Sequence, residues 1–445
     1  MPNVNNRSKK LYIMLHFLLG VLLFYFPYLS SYIGLLVIAY STYLILFHKN
    51  YYKFAPIICS AYIVGFEVLL RMSKSFLFWE FGKLSIIYLI SIGFLRRKAG
   101  NSINIPIFIY FLLLLPSIIH LPFDQFNIWR QNITFNLAGP ACLTILACYL
   151  YNEKVNRNEL INILFYSLLP IFSMAVLILF RMPDISSYNF LPYSDPSTSG
   201  GFGPNQVSTI FGFIIAGLSY GQVNKEYLTG SKNIDLFSLF LFSGLGMITF
   251  SRGGLFTAII AIVIAFSYYF FFSRKKIIFI INTLALLIIS LVTWYTMVSV
   301  TEGAISQRYG IAGGTYYGER MILDLSGRAE IYKIDLAIFK DYLFTGVGPG
   351  NATQLRDVYG YGKIISAHTE FSRMLSEHGL LGLISLLLLL GMPVYFLITP
   401  SSSLNKTTKI LFSILALLTM FHSAMRIAMP CFAYSLLFPT FEEES

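Results

Sequence analysis

Apolar runs of membrane-crossing length recur along the whole chain, and that recurrence leaves few folds open. A span needs about 20 apolar residues, and in lipid a helix satisfies its own backbone groups. The runs fall near 11–26, 31–47, 55–70, 76–95, 105–121, 137–151, 160–180, 207–220, 236–250, 255–272, 277–298, 380–398 and 410–425. The short apolar tail 430–438 either returns into the bilayer or lies at its interface. The expected fold is all-α: one polytopic integral membrane helical bundle of about 12 to 14 spans. Composition agrees, with hydrophobic residues at 56% and charged residues at 12%, where a soluble domain carries about 25% charged residues.

The charges fix the expected orientation. Arg7, Lys9, Lys10, Lys49, Lys53, Arg96, Arg97, Lys98, Lys154, Arg157, Lys225, Lys232, Arg274, Lys275, Lys276, Lys406 and Lys409 fall on one side if the spans alternate. By the positive-inside rule that side is cytoplasmic, together with the N-terminus. Most of the net charge of +11 is accounted for in this way, so it does not argue for nucleic acid. The first run is followed at once by a second and shows no small-residue cleavage pattern, so it reads as a span and not as a cleaved signal. Cys59, Cys142, Cys148 and Cys431 lie in or beside apolar segments without metal spacing, and read as buried small residues.

One long polar stretch interrupts the pattern. Residues 1–298 read as transmembrane helices with short loops, 299–377 as a large outward loop with helical segments, and 378–445 as the C-terminal helices. The loop carries Arg308, Arg320, Arg328, Arg356, His368 and Arg373, and too many apolar and aromatic residues for a disordered tether. It reads as a folded cap over an active site.

Several outward residues are candidates for chemistry. Arg252, in Phe250-Ser251-Arg252-Gly253-Gly254 at a span end, is either a snorkelling arginine or an anion ligand. The flanking glycines, which admit a close approach, favour the anion. Arg328 opens a segment in which Ile331, Ile334 and Ile338 recur at helical spacing, so it would stand at the positive end of an amphipathic helix. Pairing with Glu330 or Asp324 explains it equally well. Gly346-Val347-Gly348-Pro349-Gly350-Asn351 lacks the Lys-Ser/Thr of a phosphate-binding loop, and reads first as a tight turn and second as a backbone nest for phosphate. His368 stands where the loop re-enters the membrane, beside Glu370, Arg373 and Glu377, and titrates near neutral pH. His378 is a lesser candidate. Within the membrane, Glu67 with Arg71 and Glu80 with Lys83 have the spacing of helix-face ion pairs.

Three of these elements, in this order, resemble the O-antigen ligase and O-antigen polymerase superfamily of bacterial inner-membrane glycosyltransferases. They are Ser-Arg-Gly-Gly at 251–254, Ser-Gly-Arg at 326–328 before Gly-Val-Gly-Pro-Gly-Asn, and Ala-His-Thr at 367–369 before Gly379-Leu380-Leu381-Gly382. The ligase pattern is His, then Asn, Ser or Gln, nine residues, and Gly-x-x-Gly; here Thr369 follows His368. Gly203-Pro204-Asn205-Gln206 also looks like the family.

The resemblance implies a GT-C-like bundle with its active site facing the periplasm. It implies a glycan donor linked to undecaprenyl diphosphate and an acceptor that is lipid A-core or a growing glycan. By the same carry-over Arg252 and Arg328 hold the diphosphate and His368 acts in transfer, with Gly348, Asn351, Asn205 and Arg130 in support. The physical reading runs parallel: arginine forks suit phosphate oxygens, and an acceptor hydroxyl needs a base. No acidic metal cluster is legible on the outward side, so neither a metal nor a cofactor is expected. Ligase and polymerase both remain open. A transporter or flippase with a basic cavity fits less well, because no pair of broken spans marks matching halves. A scaffold in a polysaccharide assembly complex is the third reading.

Overall fold

The computed structural model describes residues 5–48, 54–74, 77–97, 104–184, 187–272, 276–310, 328–362, 364, 367 and 369–442. The chain opens with α1 (Asn6–Tyr25), α2 (Leu29–Phe47), α3 (Ala55–Met72) and α4 (Phe81–Arg96). Next come α5 (Ile105–Leu112), which runs on into a tighter turn at Pro116–His120, and α6 (Phe126–Leu150), α7 (Arg157–Arg181), α8 (Pro204–Asn224), α9 (Lys232–Ile248), α10 (Arg252–Phe272) and α11 (Lys276–Val300). The polar stretch holds the short α12 (Ala304–Arg308), α13 (Arg328–Asp341) and the short α14 (Ala352–Arg356). The chain closes with α15 (Glu370–Ile398), α16 (Ser403–Ser423) and α17 (Met429–Ser435).

Among the described residues nine helices are long and apolar enough to cross a membrane. This is a multi-pass all-α membrane protein. The centre of the bundle is built by α3, α7, α8 and α17, whose side chains are buried nearly throughout. Leu35 and Leu36 on α2, and Leu287, Ile288 and Leu291 on α11, remain exposed, as apolar side chains facing lipid do.

The bundle's two ends differ. At one end Lys9 donates to the Leu228 carbonyl (2.9 Å), Arg157 pairs with Glu226 (2.9 Å), and Arg97 pairs with Glu153. These cations come from the set the charge pattern assigns to one side, and they meet there. Lys49, Lys53, Lys98, Arg274 and Lys275 lie outside the described residues. The segment 187–203, α12, α13 and α14 occupy the other end, called here the cap end.

The apolar tail returns. From the cap end it passes through the bundle as α17 and the turns that follow it, then forms β2 (Thr440–Glu442), parallel to β1 (Lys154–Asn156) between α6 and α7. Two helices begin earlier than their apolar runs. α6 starts at Phe126 and α15 at Glu370, each carrying polar turns beyond the membrane core. Those turns stay helical because their polar side chains find protein partners in the cap. All four cysteines are buried and free.

Candidate active site at the cap end

The glycine-rich run is a turn docked on a break in α15. The break is at Gly379, whose φ of +60° and ψ of −142° lie outside the helical region. It deprives the Ser376 and Glu377 carbonyls of helical donors, and the turn supplies replacements. Val347 N–H donates to Ser376 (3.1 Å) and Gly348 N–H to Glu377 (3.0 Å), while Leu380 N–H crosses to Leu343 (2.7 Å). A Cβ on Gly379 would stand 2.5 Å from the Leu343 oxygen, and one on Gly346 would stand 2.3 Å from the Glu377 carbonyl carbon. Both positions also have positive φ, so only glycine fits.

Side chains lock this turn to the Pro116–His120 turn and to α13. Asn351 donates through Nδ2 to the carbonyls of Val347 (2.8 Å) and His120 (3.2 Å). On α13, Ile331, Ile334 and Ile338 are buried on one face, as their spacing predicts, and Asp335 is buried with them. Its carboxylate accepts Arg356 Nε (2.8 Å) and the Ser372 hydroxyl (2.5 Å), so one anion joins α13, α14 and α15. Burial pushes the Asp335 carboxyl above its ordinary range, and the Arg356 guanidinium opposes that shift.

A second buried network surrounds the start of the returning tail. Arg373 pairs with Glu370 and with Glu377 (2.9 Å), and reaches the Asn136 side chain (3.3 Å) and carbonyl (3.1 Å). Glu67 and Arg71 pair at 2.6 Å, and Glu80 pairs with Lys83, so the intramembrane charges neutralise one another. Both pairs also hold the tail. Arg71 donates to the Arg426 carbonyl (3.1 Å), Lys83 to the Met425 carbonyl (3.0 Å), and Glu67 accepts the Ala428 amide (2.7 Å). Arg426 in turn donates to the Ala367 carbonyl (2.7 Å). Between these groups lies a cavity of about 20 Å³ lined by Asn136, Ala367, Glu370, Arg373, Met425 and Arg426. That is room for about one water.

Arg252 opens α10 at the same end. Gly254 lets α10 press on α8, where a Cβ would meet the Ser208 oxygen at 2.2 Å. The Ser251 hydroxyl donates to Asn205 Oδ1 (2.5 Å) and Ser208 donates to the Ser251 carbonyl (2.8 Å), which joins the two glycine-bearing motifs. Phe250 before them is buried at a φ of +53°, unusual for a residue with a side chain. Arg308 Nε bonds its carbonyl (2.9 Å), while Arg252 Nη1 bonds the Arg308 carbonyl (3.1 Å). The two arginines clasp each other's backbones, at the end of α10 where the helix dipole is positive. Among the described residues Arg252 has no ion-pair partner.

The candidates thus fall into two groups. Asn205 and Arg252 come together at the ends of α8 and α10, and Gly348 and Asn351 come together beside His120, where Asn132 of α6 reaches Asn351 (3.5 Å). Arg130 is exposed on α6, two residues before Asn132. The end of α16 bridges the groups: His422 packs on Gly253, and Met425 and Arg426 reach Glu370 and Ala367. His368 lies outside the described residues, as do Arg320, Ser326 and Gly327; Arg328 opens α13, and its side chain also lies outside them. Thr369, next to His368, caps α15 by accepting the Phe371 amide (3.3 Å). His378 is buried and bonded to Ser117 (2.7 Å).

Sequence reasoning passed over Arg426 and singled out Arg308 only as one loop cation. A cation just past a span end, before an apolar tail, was the available signal for Arg426.

Fold and geometry together describe a multi-pass helical membrane protein with a polar, cation-bearing candidate site at the cap end. Residues 237–387 match the family model described as O-Antigen ligase, which upholds the resemblance to the O-antigen ligase and polymerase superfamily. The matched segment runs from within α9 to within α15 and includes Arg252, Arg308, Arg328, the glycine turn and His368. It supports a ligase- or polymerase-type role in glycan transfer. No curated protein matches the chain.

Proposed function

We propose that this protein is a glycosyltransferase of the bacterial inner membrane, O-antigen ligase-like, with its cap end facing the periplasm. It would move glycan from undecaprenyl diphosphate to lipid A-core. The observation that carries this reading is the match over 237–387, because that segment supplies the cap and every cation assigned to the donor.

In this reading Arg252 and Arg328 hold the diphosphate. The acceptor oxygen attacks the anomeric carbon and forms the new glycosidic bond as the bond from that carbon to the phosphate oxygen breaks. Undecaprenyl diphosphate departs with the bonding pair, and the acceptor proton passes to His368. Direct attack inverts the anomeric centre. The fixed guanidinium forks stabilise charge that grows on the leaving group, the task a divalent cation performs in many phosphate enzymes.

Thr369 keeps polymerisation as the second reading, because it stands where the ligase pattern has Asn, Ser or Gln. As the cap of α15 it does what Ser and Asn also do well, so the change leaves the local fold intact. The test is transfer in detergent from an undecaprenyl-diphosphate glycan, with and without lipid A-core. Product only with core indicates ligation, and a ladder from donor alone indicates polymerisation.

A further inference from the structure

A second cavity at the cap end, of about 220 Å³, lies between the segment 188–192 and the corner where α11 meets α12. We propose that it is the subsite for a single sugar ring, the one attached directly to the donor diphosphate, and that it sets which first sugar the protein accepts. This deepens the proposed function and rests on the reading that Arg252 holds the diphosphate.

The cavity's position is the first argument. Pro192 and Gln307 line it, and Arg308, next to Gln307, donates to the Pro192 carbonyl (3.4 Å) and to Phe250. The cavity therefore shares a wall with the clasp that holds Arg252.

The lining is the second argument. Asn189, Thr301, Glu302 and Gln307 contribute polar groups, and Tyr188 contributes an aromatic ring. Amides both donate and accept, and a carboxylate accepts strongly, which suits a ligand that presents several hydroxyls. The volume falls below the roughly 300–1,000 Å³ of drug-sized sites and is on the scale of one sugar ring.

Rigidity is the third. The Tyr188 hydroxyl is held by Asp195 (2.7 Å) and Ser197 (2.8 Å), and its ring meets Phe190 edge to face with centroids 4.9 Å apart. Phe190 stacks on Phe250, the residue that Arg308 fixes. The wall is set before a ligand arrives, which keeps the ordering cost of binding low.

The test uses full-length protein in detergent and two lipids, sugar-free undecaprenyl diphosphate and the same lipid bearing its glycan. Asn189→Ala with Gln307→Ala should weaken binding of the glycan-bearing lipid about tenfold while the sugar-free lipid changes less than about twofold. Glu302→Gln, an isosteric change at an exposed side chain, should show the same split in smaller measure and guards against misfolding. Equal weakening of both lipids, or of neither, overturns the proposal. Arg252→Ala is the separate control. If it leaves sugar-free lipid binding unchanged, the diphosphate assignment fails, while the difference between the two lipids still judges the cavity.

Discussion

Arg426 donates from Nη2 to the carbonyl of Ala367 at 2.7 Å, so the returning tail holds the backbone one residue before His368. Arg426 lies outside 237–387, and so do Glu67, Arg71 and Lys83, which hold the tail itself. Parts of the chain beyond the matched family segment therefore hold the backbone of the candidate site.

Arg426→Ala should lower kcat for glycan transfer by about tenfold or more, since a hydrogen bond to a charged group is worth about 1.5–3 kcal/mol. KM for the donor should change little, and Arg426→Lys should restore part of the rate. A lower melting temperature with unchanged kcat would mean that Arg426 serves only the fold.

The break in α15 should tolerate nothing but glycine. Gly379→Ala adds a Cβ 2.5 Å from the Leu343 oxygen and forces a residue with a side chain into a region that costs about 1–3 kcal/mol. Gly391→Ala, further along the same helix with open space around it, is the matched control. Thermal unfolding in detergent should show a clear drop for the first and little change or a slight gain for the second.

The Asp335–Arg356 pair should be costly to break and cheap to replace. Both side chains are fully buried, so removing one partner by Asp335→Asn or Arg356→Met should cost about 3–5 kcal/mol. The double change Asp335→Leu with Arg356→Met should recover much of that. Protease sensitivity of the segment 328–362 would report the order of the variants.

The segment carrying Tyr188 should loosen in acid. The Ser197 amide and the Tyr188 hydroxyl hold the Asp195 carboxyl below its ordinary value. A group with a lowered pKa in the folded state contributes stability above its unfolded pKa, about 3.9 for Asp, and loses it as pH falls through the folded value. Hydrogen exchange at Ser197 should stay protected down to about that pH and rise below it. Asp195→Asn should raise exchange already at neutral pH.

Much of this protein is legible in its sequence, for physical reasons. Apolar runs and the placement of Lys and Arg announce the bundle, because lipid penalises any alternative. Ile331, Ile334 and Ile338 announce α13, because burial follows helical spacing. Arg252 and the glycine motifs are visible as local patterns. Pairings between residues far apart in the chain are not visible in that way. Nothing near Arg426 says that it meets Ala367, and nothing near Arg308 says that it fixes Phe250. The glycines at 346 and 379 look like two separate motifs, yet each exists to admit the other's backbone. The early starts of α6 and α15 escaped for a similar reason: polar turns resemble loop until partners such as Asn136 and Arg373 are known.

The proposed function stands or falls on transfer of a lipid-diphosphate glycan at the cap end. The most direct measurement is product formation from undecaprenyl-diphosphate glycan and lipid A-core, using wild-type protein and the Arg252→Ala and His368→Ala variants, each shown to be folded. Wild-type protein should form glycosylated core, and either variant should lose product by at least a hundredfold, about 2.7 kcal/mol of transition-state stabilisation. Wild-type rates in both variants would contradict it.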